Sequence, residues 1–282
     1  MNLPFDPKTL GAGTIVRRKT DGTFECVTDE VTAEEPLEIR LGDAPLAITM
    51  RTPGNDEELA AGFLLSEGII RAKSDLAALA HPAFPDSPGN VINIALASTR
   101  NLTGLTGQVR RHGTISSSCG LCGKTSIDAI RREFPPLEPV SSLRISVSQL
   151  LELPERLRRE QKTFARTGGI HAAAIFDLTS DRVILREDVG RHNAVDKAIG
   201  RALLDNLLPL SHHVLMVSGR SSLEIMQKAL AAGIPIVAAV SAPSTLAVNF
   251  AREAGQTLIG FLRPPTFNVY SHVERLELER RS

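Results

Sequence analysis

The sequence predicts an α/β protein: a C-terminal three-layer α/β domain on a mostly parallel sheet, preceded by a smaller N-terminal α+β domain. Three observations predict it. Strand and helix patterns alternate between His213 and Leu262, with strands starting at His213, Ile234 and Thr257, the 21- and 23-residue spacing of right-handed βαβ crossovers. These strands are almost continuously apolar, as strands covered on both faces are. The first fifty residues read instead as β-hairpins. The proline-bearing stretch Glu133–Ser142 lies between the two patterns and reads as a linker, so the expected domains are 1–138 and 139–282.

Taken in order, Thr14–Arg18 and Phe24–Val27 flank Asp21-Gly22, a hairpin signal, and Pro36–Leu41 and Pro45–Met50 flank Gly42-Asp43. A helix follows, with Asn55 as its expected N-cap, acids at Asp56, Glu57 and Glu58, an apolar stripe through Leu59, Phe63 and Leu64, and a stop at Gly68. Residues 81–90 read as a loop and Val91–Ala97 as a strand. Thr125–Arg132 reads as a helix, and Ser148–Phe164 as helical with a break or second start at Pro154. Ile170–Phe176 and Arg182–Arg186 are expected strands, and Asn193–Asn206 is an amphipathic helix, at whose start Asn193 either takes part in recognising an anion or base or simply caps. Ser221 with Glu224 predicts a capping box before Gly233. Ser244–Ala254 is a helix stopped by Gly255, and Leu276–Arg281 reads as a solvated tail.

Composition narrows the function. The 282 residues carry 32 Lys plus Arg against 32 Asp plus Glu, so no basic surplus points to nucleic acid. Ten Phe, one Tyr and no Trp make poor stacking platforms for single strands. The first residues lack a signal-peptide pattern and no window has the length of apolar run that spans a membrane, so a cytoplasmic protein is expected. Cys26, Cys119 and Cys122 are too few for a disulfide scaffold, and Cys26 reads as an ordinary small apolar residue. His81, His212, His213 and His272 read as loop or surface residues, and no structural metal is expected.

Ligands of parallel sheets sit beyond the carboxyl ends of the strands. Those ends read Ser218-Gly219-Arg220-Ser221, Ser241-Ala242-Pro243-Ser244 and Arg263, and two of them lead into helix N-termini that attract anions. A phosphate-bearing ligand is expected there, although no dinucleotide or P-loop fingerprint is present. Arg166, Gly168, Gly169 and His171 form a polar turn entering a strand. Arg191, His192, Asn193 and Lys197 surround a helix start beside Asp188.

The most informative feature is Cys119-Gly120-Leu121-Cys122. It stands before a helix pattern, where a thiolate is favoured. Positions 87 to 127 hold no acidic residue but carry Arg100, Arg110, Arg111, His112 and Lys124. Positive charge favours thiolate over thiol and attracts anionic substrates. Structural thiols waste the glycines and cations, and half of a zinc site lacks its other ligands. A dithiol oxidoreductase and a persulfide carrier both fit, and the residues alone leave both open.

The loop resembles the Ser-Cys-Gly-x-Cys-Gly signature of the formate dehydrogenase accessory sulfurtransferase family (the FdhD type). Thr52–Ala60 with Gly62–Ile70, Phe164–His171, Glu187–Lys197, Ser218–Arg220, Ser241–Pro243 and Asn268–Tyr270 resemble further blocks of that family in the same order. The resemblance implies a sulfur carrier that takes persulfide sulfur from a cysteine desulfurase and passes it to the molybdenum bis-guanine-dinucleotide cofactor of formate dehydrogenase. It implies Cys119 as the persulfide-forming residue, Cys122 as its partner, and a guanine-nucleotide site at Phe261, Leu262, Arg263, Pro264, Pro265 and Thr266. Here the sequence departs from the family, in which Gly and a second Arg follow the first Arg. Ser218, Gly219, Arg220, Ser241, His171, Arg191 and His192 are added as cofactor-binding candidates. A cytidine deaminase-like C-terminal fold and a homodimer are also implied. Deaminase chemistry is not, because the zinc set with its His/Cys-x-Glu partner is missing. Two rival functions stand beside the carrier: a chaperone that holds the cofactor without transferring sulfur, and a thiol–disulfide oxidoreductase.

Overall fold

The computed structural model describes residues 13–42, 44–82, 89–97, 115–116, 134–137 and 143–278. Cys119, Cys122 and the expected helix Thr125–Arg132 lie outside the described residues.

The C-terminal half is built on a six-stranded sheet. Its strands are β9 (His171–Asp177), β10 (Val183–Asp188), β11 (His213–Val217), β12 (Ile236–Ala239), β13 (Thr257–Arg263) and β14 (Thr266–Ser271), in the order β10-β9-β11-β12-β13-β14. The expected βαβαβ unit is present as β11, α5 (Leu223–Ala231), β12, α6 (Thr245–Ala254) and β13, with β11–β12 and β12–β13 parallel. The flanking pairs β9–β10, β9–β11 and β13–β14 are antiparallel, so the sheet is mixed rather than mostly parallel. The reason lies in the connections: Leu178–Arg182 and Pro264–Pro265 are too short to cross over, and only a helix-length connection returns a strand in parallel.

Successive residues of each strand face opposite layers. Ala172, Ala174, Phe176, Val214, Met216, Ile236 and Ala238 pack under Leu150, Leu153 and Leu157 of α2 (Val147–Glu160). Ala173, Ile175, Leu215, Val217, Val237 and Ala239 face the other way, toward α5, α6 and α4 (Arg191–Leu204). Helix, sheet and helices make the three expected layers.

The N-terminal half supplies hairpin β1–β2 (Thr14–Arg18, Phe24–Thr28) and a second sheet. That sheet has the order β5-β6-β3-β4-β7, from β5 (Leu76–Ala80), β6 (Val91–Leu96), β3 (Glu35–Leu41), β4 (Ala44–Arg51) and β7 (Ile115–Ser116). Helix α1 (Asp56–Ser66) lies between this sheet and α4. Gly62 of α1 and Gly200 of α4 meet there, and a Cβ on either would overlap the backbone carbonyl of Asp196 or Glu58 respectively. A single hydrophobic cluster therefore runs from Leu37 and Ile92 through α1 and α4 to Leu258.

Several local expectations are corrected. Pro154 does not break the helix. Ser146 and Gln149 cap its start reciprocally, the buried leucines hold it, and the break falls at Gln161 before α3 (Lys162–Thr167). Asn55 is the N-cap of α1, but in left-handed conformation with no capping bond from its side chain. Helix α4 starts at Arg191, and Asn193 bonds to tertiary partners instead of capping. Ser221 and Glu224 form no capping box, because Ser221 is buried, bridges to Pro243 and accepts Ser244 N at its carbonyl; the N-cap is Ser222. Leu276–Glu277, expected in a solvated tail, forms β15 beside β8 (Ile145–Ser146), with Leu276 buried. Within the expected linker, Phe134 and Leu137 pack on the core and Leu137 N donates to Ala254 O.

Candidate functional site

β11, β12 and β13 run the same way, so Val217, Ala239 and Arg263 end at one edge of the sheet. β9 is antiparallel to β11, which puts its first residue, His171, at that same edge. The last residue of β10, Asp188, and the first turn of α4 meet there too. The topology alone thus gathers residues more than ninety positions apart.

His171, Ser218, Leu262, Arg263 and Pro264 line one groove of about 660 Å³, together with Val189 and Val240 on the sheet side. The opposite wall is Pro154, Glu155, Leu157, Arg158, Gln161 and Phe164 of α2 and α3. Its size suits a nucleotide-sized ligand. Ser218 Oγ accepts Ala172 N at 2.9 Å, which fixes the strand end. Arg263 Nε donates to Val240 O at 3.1 Å, leaving the rest of its guanidinium exposed beside the groove. Gly219 packs between His171 and Arg191: a Cβ there would lie 3.5 Å from His171 Nδ1 and 3.9 Å from Arg191 Cδ. Ser241 acts through its backbone, whose carbonyl accepts Phe261 N at 3.1 Å. Phe261 has a φ of 52° and an exposed ring.

The remaining candidates lie apart from the groove. Arg220, Pro265 and Thr266 are exposed and do not line it. His192 turns away toward α5, with Nε2 3.2 Å from Ser222 Oγ and 3.9 Å from the Glu224 carboxylate.

Electrostatics sort the two histidines from the arginines. Burial first, and then the Arg191 guanidinium, push His171 below its ordinary value. The same two causes, with Lys228 added, bring His192 down to about 4. Both imidazoles are therefore neutral near pH 7, and Arg191 and Arg263 carry the positive charge. Two buried polar atoms at this edge, Ser221 Oγ and Arg191 Nε, have no hydrogen-bond partner among the described residues. Buried polar groups are normally satisfied. The donors, the cations and the N-terminus of α5 together fit a phosphate-bearing ligand. Among the described residues, no cluster of three His, Cys, Asp or Glu could hold a metal ion.

A buried latch ties this edge to the N-terminal sheet. Asp188, fully buried, pairs with Lys197 at 2.7 Å and accepts Thr52 N, Gly190 N and Asn193 Nδ2. Thr52 Oγ1 accepts Val189 N, and Lys197 Nζ donates to Thr52 O. Asn193 Nδ2 donates to Met50 O, and Thr49 Oγ1 donates to Asn193 Oδ1. β7 runs parallel beside β4, with Ala47 opposite Ile115 and Ile48 opposite Ser116. It therefore points toward Thr52 and the site. Asp188 and Asn193 belong to a sequence block flagged above, but their latching role was legible only in three dimensions. Gln161 and Arg158 carried no sequence signal.

The family model described as FdhD/NarQ matches residues 32–277. The sulfur carrier protein FdhD of Streptomyces coelicolor is 50% identical over 268 residues, covering 93% of this chain and 94% of that protein. The protein of the same name from Anaeromyxobacter dehalogenans is 43% identical over 281 residues, covering 95% of each. A crystal structure described as a formate dehydrogenase accessory protein, from Desulfotalea psychrophila, superposes with a TM-score of 0.71 at 23% identity, covering 93% of this chain and 97% of that one. The matched span includes both sheets, the latch and the strand-end groove, and the chain belongs to the FdhD/NarQ family.

Proposed function

We propose that this chain is the sulfur carrier that activates a formate dehydrogenase: it takes persulfide sulfur from a cysteine desulfurase and hands it to the molybdenum bis-guanine-dinucleotide cofactor. Relatives sharing about half of its residues bear the sulfur-carrier name. The Cys119 thiolate attacks the terminal sulfur of the donor persulfide. A new S–S bond forms on Cys119, the donor's S–S bond breaks, and the donor cysteine leaves as thiolate. The cations Arg100, Arg110, Arg111 and Lys124 favour the anionic sulfur. For release, the Cys122 thiolate attacks Cys119 Sγ. A disulfide forms with the Cys122 electron pair, the bond from Cys119 Sγ to the terminal sulfur breaks, that sulfur leaves with the bond's electron pair as hydrosulfide toward the molybdenum, and a thiol reductant resets the pair. The cofactor's guanine-dinucleotide phosphates rest by Arg191, Arg263 and the α5 N-terminus. A homodimer in the cytoplasm belongs to the same reading.

The observation that carries it is the direction of β7. Cys119 follows Ser116 by three residues, which span at most about 11 Å. Ser116 pairs with Ile48, and β4 continues from there to the latch at the groove's edge. In this reading the sulfur and cofactor sites share one end of the molecule.

The test is to incubate the protein with a cysteine desulfurase and radiolabelled cysteine, then separate it without reductant. Label on the wild type, its loss in Cys119→Ala, and retained label with slowed release in Cys122→Ala are expected. Guanosine diphosphate binding without any label would instead favour the chaperone. Turnover of a generic disulfide without nucleotide affinity would favour the oxidoreductase.

A further inference from the structure

Sheet edges are ordinarily blunted by charge, by proline or by a covering element. The outer strand of the N-terminal sheet has neither charge nor proline: β5 reads Leu76-Ala77-Ala78-Leu79-Ala80. It pairs with β6 on one side only, and after a register shift between Leu76 and Ala78 the pairing is regular to Ala80. Ala77, Ala78 and Ala80 are exposed, and among the described residues no hydrogen bond reaches the strand from its open side. Outward N–H and C=O groups therefore stand beside methyl-sized side chains, which let a second backbone approach. By contrast β10, at the edge of the C-terminal sheet, carries Arg186, Glu187 and Asp188, and the Glu187 carboxylate accepts Thr163 N and Phe164 N.

An apolar groove of about 490 Å³ adjoins this edge. Ile70, Arg71, Ala72 and Lys73 line it, and β5 begins three residues after Lys73. Leu65, Phe134, Leu203 and Leu230 supply much of its apolar surface. Among the described residues, Arg71 and Lys73 are the charged side chains of the lining, and no Asp or Glu joins them. Lys73 Nζ donates to Leu204 O at 2.7 Å, which fixes the ammonium at the C-terminal end of α4. The neighbouring acid, Asp75, is turned onto the N–H groups of Arg71 and Ala72.

We propose that β5 and this groove form one docking strip for an extended segment of a partner protein, apolar in its alternate side chains and carrying a carboxylate. The segment adds a strand to β5 through main-chain hydrogen bonds. Its apolar side chains enter the groove, and its carboxylate meets Lys73 and Arg71. The rim selects the partner by charge, because two cations with no acid beside them favour an acidic segment over a basic one. Helix α4 begins at Arg191, on the strand-end edge, and ends at Leu204, beside Lys73. Its 14 residues span about 20 Å. A partner held at this end therefore leaves the groove of His171 and Arg263 open.

The test is selection of linear peptides from a random phage library on the immobilised full chain, followed by fluorescence anisotropy with the selected peptide, synthesised and labelled. Sequences that alternate apolar residues and carry Asp or Glu are expected. Ala78→Asp, at an exposed position outside the core, sets a charge into the open edge and is expected to weaken binding about tenfold or more. Lys73→Glu, also exposed, is expected to weaken it severalfold. The same peptide with its acids replaced by lysine is expected to bind Lys73→Glu better than the wild type. Hydrogen exchange of the wild type should show the Ala77–Ala80 amides slowed by the peptide. Selection of no such sequence overturns the proposal, and so does an affinity unchanged in either variant or β5 amides that are not slowed. Sedimentation of the chain without peptide covers the other occupant. A dimer of the wild type that dissociates in Ala78→Asp would assign the edge to a second copy and overturn the partner segment.

Discussion

His192 shows how a single side chain records the character of the site. Its ring is 16% exposed, beside Ser222 and Glu224, with Arg191 and Lys228 adding positive charge. Burial and those cations bring it from 6.5 down to about 4. The folded state thus binds fewer protons than the unfolded chain between these values. The stabilising effect of the neutral ring is complete above pH 6.5 and is lost as pH falls toward 4, by up to about 3 kcal/mol. His171 shifts in the same direction, while Asp196, raised by burial, shifts the opposite way, so the variant must be compared with the wild type at each pH. His192→Gln removes one titration and keeps a polar group beside Ser222. Urea unfolding at pH 7 and pH 4.5 should show a smaller acid loss in the variant than in the wild type. Parallel pH profiles would show that His192 is not held neutral by its surroundings.

Between elements, the decisive contact is the crossing of α1 and α4. Gly62 and Gly200 let the two backbones touch, and no side chain fits between them. Gly200→Ala raises helix propensity but drives a methyl into the Glu58 carbonyl, and overpacking of a rigid contact outweighs propensity. A loss of about 3 kcal/mol in urea unfolding is expected; a neutral or stabilising effect would mean that the helices do not meet at these glycines. No local pattern gave a reason for either glycine, because each reads as a helix-interior residue whose reason lies on another helix. The same limit explains other differences. Hairpins β1–β2 and β3–β4, helix α1 and the βαβαβ unit were legible because turn residues and apolar periodicity are local. Strands β14 and β15 were not, since Arg263–Thr266 lacks a usual hairpin turn signal and Leu276 is buried only by its pairing with β8. The capping box at Ser221 failed because a bridge to Pro243 competed for the residue. Within the site, Ser218, Arg263 and His171 were legible as strand-end residues. Gln161 was not, because a glutamine in a polar helix end looks like any solvated residue until the facing wall is known.

At the scale of the whole molecule, the two halves are separable in sequence and joined in structure. Leu37, Ile39, Ile92 and Ile94 of the N-terminal sheet share one hydrophobic cluster with α1, α4, α5 and the C-terminal sheet. Buried polar ties cross the same interface: Asp188 and Lys197 to Thr52, Asp196 to Ser66, and Arg186 to Glu58. Residues 139–282 alone would expose the α4 face and leave the Glu58 and Ser66 partners in water. Independent domains ordinarily have their own cores. Here the prediction is a single cooperative transition. The chain has one Tyr and no Trp, so tyrosine fluorescence reports on Tyr270 in the C-terminal half, whereas far-UV circular dichroism reports on both halves. The two curves should coincide in urea, and the fragment 139–282 should show neither a cooperative transition nor protected amides. Separate midpoints, or a cooperatively folded fragment, would mean that the halves stand alone. That outcome would also separate β4, and β7 paired with it, from the strand-end edge, because the shared core and the Asp188 latch are what tie them to it.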